Sequence, residues 1–139
     1  MIVKIKKIND NAVLPSKSTD GSAGYDITAC EIVEKEHYLE AKTGLSFEIP
    51  EGYVGLLFPR SSISNKPNRM LLNSVGVLDS DYRGEVTFRF SLNDIENRYK
   101  AGEKIGQIVI IKHESVWFID VEELSDTKRG AGGYGSTGV

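Results

Sequence analysis

The sequence predicts an all-β sandwich or barrel, and three observations carry that prediction. Apolar residues alternate with polar ones in short runs along most of the chain. Gly, Pro, Asn and Asp gather between these runs as turn signals. Only residues 61–70 have room for a turn or two of helix, and Pro67 limits it. The 139 residues make a single domain, 1–139, large enough for a real core yet small enough to gain from a partner subunit.

The elements follow in order. Ile2 to Ile8 mixes apolar and Lys positions, as an edge strand does. Tyr25-Asp26-Ile27 begins a strand after Gly24. Leu45 to Ile49 alternates and runs into the turn signal Pro50-Glu51-Gly52, after which Tyr53 to Phe58 forms the next strand. Val86 to Leu92 alternates cleanly, with Val86, Phe88, Phe90 and Leu92 on one face. Ile105 to Ile111 is a nearly continuous apolar run, the pattern of a buried strand, and Trp117 to Val121 is expected to form another. There is no internal repeat and no interdomain linker; the one biased segment is the glycine-rich C-terminal tail.

Composition narrows the function. A net charge of −3 and a pI near 5.4 argue against an extended nucleic-acid footprint, while leaving a single nucleotide possible. Cys30 is the only cysteine, so neither an intrachain disulfide nor a cysteine-based zinc site can form. His37 and His113 stand far apart among charged neighbours and read as surface residues. No apolar run approaches a membrane span, and residues 1–4 lack a signal-peptide core. These features predict a soluble protein of a reducing, cytoplasmic compartment (a host-cell interior for a viral chain) that binds neither nucleic acid nor membrane.

Arg129 to Gly138 holds five glycines in ten positions, one Arg, one aromatic and a Ser-Thr pair. Such a segment is expected to be mobile when free, residues 128–139 forming a flexible arm. It also offers unobstructed backbone N–H groups, two hydroxyls and a guanidinium to a polyphosphate, and Tyr134 offers a face for stacking. It lacks the Gly-Lys-Ser/Thr ending and following helix of a P-loop. Pro59-Arg60-Ser61-Ser62 ends an apolar strand with a guanidinium and hydroxyls, suited to phosphate oxygens or simply to solvent.

Between Asn73 and Val86 two carboxylates, Asp79 and Asp81, sit in a turn followed by Tyr82. Asp79 could serve as general base on a water and Tyr82 could pack on a sugar ring; an ordinary Asp-rich turn is the alternative. Asp is depleted in strands, so Asp26 needs a reason to be there, and a carboxylate reaching toward hydrated Mg²⁺ is one. Gln107 in an apolar strand must likewise find partners, structural or substrate.

Ala23 to Ile27, Pro59 to Ser62, Gly76 to Gly84, Gly102 to Gln107 and Arg129 to Gly138 resemble, in order, the five motifs of trimeric deoxyuridine triphosphatases. The resemblance spans residues 23 to 138. Tyr134 stands where Phe is more usual, Ser62 where Gly is common and Leu78 where Ile is common; Asn65 to Met70 departs from the family pattern.

The resemblance implies a jelly-roll β-barrel that assembles as a homotrimer with each active site shared by three subunits. It implies hydrolysis of dUTP to dUMP and pyrophosphate, which keeps uracil out of DNA and supplies the thymidylate precursor. Asp79 would activate the water that attacks the α-phosphorus, and Tyr82 would pack under the deoxyribose and exclude a 2′-hydroxyl. The hairpin from Val77 through Leu78 to Thr87, with Asn73, would read uracil. Arg60, Ser61, Ser62 and Gln107 would hold the α- and β-phosphates. Arg129, Gly135, Ser136 and Thr137 would close on the γ-phosphate while Tyr134 stacks on the base. Mg²⁺ would be chelated chiefly by the phosphates, with Asp26 an outer-shell partner through water. Two other readings stand beside this one: a dCTP deaminase on the same fold, which needs a catalytic glutamate that no motif here supplies (Glu85 belongs to the turn), and a dUTP-responsive binding protein.

Overall fold

In the computed structural model, which describes residues 1–65, 69–92 and 98–133, the alternating runs become strands. Among the described residues these are β1 (Lys4–Lys7), β2 (Tyr25–Thr28), β3 (Glu31–Glu34), β4 (Leu39–Lys42), β5 (Leu45–Glu48), β6 (Tyr53–Phe58), β7 (Gly76–Leu78), β8 (Thr87–Phe90) and β9 (Lys104–Lys112). The one helical piece among the described residues is a 3-10 turn at Ser61–Asn65, inside the window the sequence allowed. No helix among the described residues is long and apolar enough to cross a membrane.

The strands pair antiparallel in three jelly-roll-like sheets. β2-β9-β6-β7 make the largest, β3-β4-β8 the second, and β1-β5 a two-stranded ribbon. Alternation decides the inward faces: Leu45, Phe47 and Ile49 are buried beside exposed Glu48, and Val86, Phe88 and Phe90 are buried on either side of exposed Arg89. Phe90 packs on Tyr99 with ring centroids 4.6 Å apart. Ile27, Ile105 and Ile108 complete a core drawn from all three sheets, each such side chain contributing about 1.5–3 kcal/mol on burial. β9 runs between β2 and β6, and its register sets Gln107 opposite Asp26 on one side and Phe58 on the other.

Three expectations are corrected. Trp117 to Val121 forms no strand; Trp117 and Phe118 are 93% and 94% exposed. A strand needs a ladder partner, and both neighbours of β9 are already taken, so beyond the bond from His113 N–H to Gly52 O the chain runs out with nothing to pair. Residues 77–87 are not a paired hairpin: β7 joins β6 while β8 joins β4, so the intervening loop crosses from one sheet to another. The apolar run of β9 is fully buried only in its first half, and Ile111 is exposed.

Candidate active site

β6 ends at Phe58 and hands on Pro59 and Arg60 at the end of the large sheet, beside β9 and one strand from β2. Arg60 Nε donates to Asp26 Oδ1 at 3.1 Å. The other carboxylate oxygen of Asp26 accepts from Ser18 Oγ at 2.8 Å and Lys104 Nζ at 2.7 Å. Burial opposes charge on Asp26, but the Lys104 and Ser18 hydrogen bonds and the Arg60 guanidinium outweigh it, so its pKa lies below the usual carboxylate range. Among the described residues nothing hydrogen-bonds the terminal nitrogens of Arg60, which leaves that end of the fork for an anion. Gln107 Nε2 donates to Pro59 O at 3.2 Å, tying β9 to the same corner. Its Oε1 occupies the space that a Cβ on Gly24 would need. Ser61 and Ser62 open the 3-10 turn with exposed hydroxyls.

A concavity of about 200 Å³ lies beside β7. Asn73, Val77, Leu78, Asp79, Tyr82 and Thr87 all line it, with Leu57, Gly76, Glu85 and Val86. Asn73 arrives through a turn in which Ser74 takes φ 58°, an uncommon backbone for a residue with a side chain. Tyr82 is fixed by its own loop: its N–H donates to Asp79 O at 3.2 Å, and its hydroxyl to Glu85 O at 3.2 Å. The ring lies where a Cβ on Gly84 would be, yet remains 45% exposed. Arg83 Nη1 caps the turn through Ser80 O and Tyr82 O. Asp79 is exposed and also borders a wider groove with Lys4, Tyr53 and His113, so water can reach it.

The residues expected to form one site therefore fall into two clusters. Arg60, Ser61, Ser62, Gln107 and Asp26 are not among the residues lining the cavity that holds Asp79 and Tyr82. Arg129 joins neither; it is exposed, and its Nε donates to Gly132 O at 2.8 Å within its own turn. Tyr134, Gly135, Ser136 and Thr137 lie outside the described residues. Sequence reasoning missed Ser18 and Lys104 as partners of Asp26, and Glu85 as a cavity wall. Lys104 sits inside a motif that was read, but only the sheet register reveals what it faces.

A jelly-roll chain with a small cavity bordered by a carboxylate and a separate arginine-and-hydroxyl corner offers groups suited to the base, sugar and phosphates of a nucleotide. The dUTPase family model matches residues 10–138, and the chain belongs to that family. It is 39% identical to the deoxyuridine 5'-triphosphate nucleotidohydrolase of Helicobacter pylori (strain ATCC 700392 / 26695) over 100% of this chain and 98% of the relative. It is 43% identical to the enzyme of the same name from Nautilia profundicola, over 99% of each chain. Among solved structures, the dUTPase of Staphylococcus bacteriophage 80alpha with dUPNHPP superposes with a TM-score of 0.85 at 30% identity, covering 99% of both chains. The phage phi11 dUTPase of S. aureus, described with a structural Mg(II) ion, gives 0.76 at 28% identity over 88% of this chain and 98% of its own.

Proposed function

We propose that this chain hydrolyses dUTP to dUMP and pyrophosphate by attack of water on the α-phosphorus, limiting uracil incorporation into DNA and supplying dUMP for thymidylate synthesis. The observation that carries the reading is that Asn73, Val77, Leu78, Asp79, Tyr82 and Thr87 line one cavity together in a member of the dUTPase family. Backbone groups and Asn73 hold the base, Tyr82 faces the sugar, and Asp79 takes the proton of the attacking water. Arg60, Ser61, Ser62 and Gln107 receive the α- and β-phosphates. Arg129 with Tyr134, Gly135, Ser136 and Thr137 closes over the γ-phosphate and base.

A homotrimer with shared sites is part of the proposal. The cavity and the arginine corner have no lining in common within one chain, and a neighbouring copy would join them. The exposed Trp117, Phe118, Ile119 and Leu124 support the same reading, because an apolar run of that length in water calls for a partner surface. A reducing, cytoplasmic location fits the one cysteine.

Mg²⁺ fits as an ion carried by the triphosphate. Among the described residues no group of three or more His, Cys, Asp or Glu side chains could hold a metal. Asp26 fits an outer-shell role less well, since its two oxygens already accept three donors, two of them cationic. Bound to the phosphates, the ion would neutralise their charge and orient them. Pyrophosphate release from dUTP, compared with dTTP, dCTP and UTP and measured with and without Mg²⁺, tests the assignment; ammonia release from dCTP would point to a deaminase instead.

A further inference from the structure

Steric rejection of a 2′-hydroxyl works only if the rejecting ring cannot yield. Tyr82 is nearly half exposed, and an exposed side chain swings aside at the cost of about one rotamer well. What holds it is therefore a question for the loop beneath it. The Tyr82 hydroxyl is tied to the carbonyl of Glu85, so the position of the ring depends on the orientation of that peptide.

Glu85 is itself fastened from its side chain. Its Oε1 accepts the Gly44 N–H at 2.8 Å, a charge-assisted bond that is partly buried. Gly44 is a rigid anchor. Its φ of 66° favours glycine, and a Cβ there would meet Asn9 Cβ at 2.8 Å and Ala12 Cβ at 2.9 Å. One residue on, Val86 N–H donates to Leu45 O at 2.9 Å, while Thr43 Oγ1 donates to Val86 O at 2.7 Å. The strand from Val86 onward is thus held without Glu85. The loop before it is fastened to the body on that side twice, by Glu85 on Gly44 and by Ser46 Oγ, which donates to Arg83 O.

We propose that Glu85 is a positioning residue: by clamping to Gly44 it holds Tyr82 rigid and so sets the preference for a 2′-deoxy sugar. The inference rests on the proposed role of Tyr82 and adds a residue to it. Glu85 lines the same cavity, and its effect on sugar choice is exerted through Tyr82. Gln at this position would keep an amide oxygen for Gly44 N–H; Ala would not, and Asp would be one methylene short.

The test is kcat/KM for dUTP and for UTP in wild type, Tyr82→Ala, Tyr82→Phe, Glu85→Ala, Glu85→Asp and Glu85→Gln. Glu85→Ala is expected to lower the dUTP-to-UTP ratio about tenfold, the size of one lost hydrogen bond. Tyr82→Phe is expected to do the same, and Glu85→Gln to keep the wild-type ratio. Should Glu85→Ala fail to fold, Glu85→Asp carries the test. A wild-type ratio in the folded truncated variant, with the ratio lost in Tyr82→Ala, overturns the role of Glu85 alone. Equal losses in Glu85→Gln and Glu85→Ala overturn it too, since the acceptor for Gly44 is then not what matters. A wild-type ratio in Tyr82→Ala removes the sugar-exclusion reading and this inference with it.

Discussion

Asp26 and Arg60, thirty-four residues apart, meet at 3.1 Å where β2 and the end of β6 flank β9. Asp26 also holds Lys104, and its side chain is only 10% exposed. A carboxylate with three donors and little solvent is a hinge pin for the arginine corner rather than a group waiting for metal.

Asp26 titrates below its ordinary value of 3.8 in the folded chain, so its contribution to stability is complete above that pH. The contribution is lost as pH falls through the lower folded value. In urea titrations, the stability gap between wild type and Asp26→Asn should stay flat from neutral pH down to about 5 and close below 3.8. A gap that widens on acidification would contradict the cluster.

Gly24→Ala should weaken catalysis without unfolding the chain. The added Cβ collides with Gln107 Oε1, and Gln107 can retreat only by losing its 3.2 Å bond to Pro59 O. KM for dUTP should rise by roughly tenfold, the cost of one misplaced polar contact. An unchanged KM would show that Gln107 is not needed where it stands.

Replacing Trp117 and Phe118 with Asp should leave a folded chain, because neither side chain belongs to the core. If these residues lie in the interface of the proposed trimer, the mass by light scattering at micromolar concentration should fall toward that of a monomer. A wild-type mass would separate the exposed run from assembly.

Much of the fold was legible because its strongest strands alternate: Leu45, Phe47 and Ile49, and Val86, Phe88 and Phe90, face the core as their spacing required. β3 and β4 were not legible. β3 sets only Ile32 and Val33 between two glutamates, β4 carries Glu40, Ala41 and Lys42 of low strand preference, and their pairing comes from each other and from β8. Trp117 to Val121 carries a strand pattern with no partner among the described residues of its own chain, which periodicity cannot disclose. The cavity residues were legible as a motif because they are close in sequence. The bonds of Asp26 to Ser18, Arg60 and Lys104, and of Glu85 to Gly44, were not, since they join distant segments through sheet register.

Deleting residues 129–139 should spare fold and assembly, since the described part of this segment is almost wholly exposed. Activity should collapse in kcat as well as KM, because the segment would supply charged contacts worth about 1.5–3 kcal/mol each and a stacking face worth about 1–3 kcal/mol. Full kcat in the truncated chain would remove the lid from the mechanism.

The central claim is that Asp79, at the rim of the cavity it shares with Tyr82 and Asn73, activates the water that cleaves dUTP. Pyrophosphate release by wild type and Asp79→Asn, alongside binding of a non-hydrolysable dUTP analogue, tests it most directly. The expected result is a fall in rate on the order of 10²–10⁴-fold with binding retained. Turnover of dUTP by Asp79→Asn at the wild-type rate would contradict it.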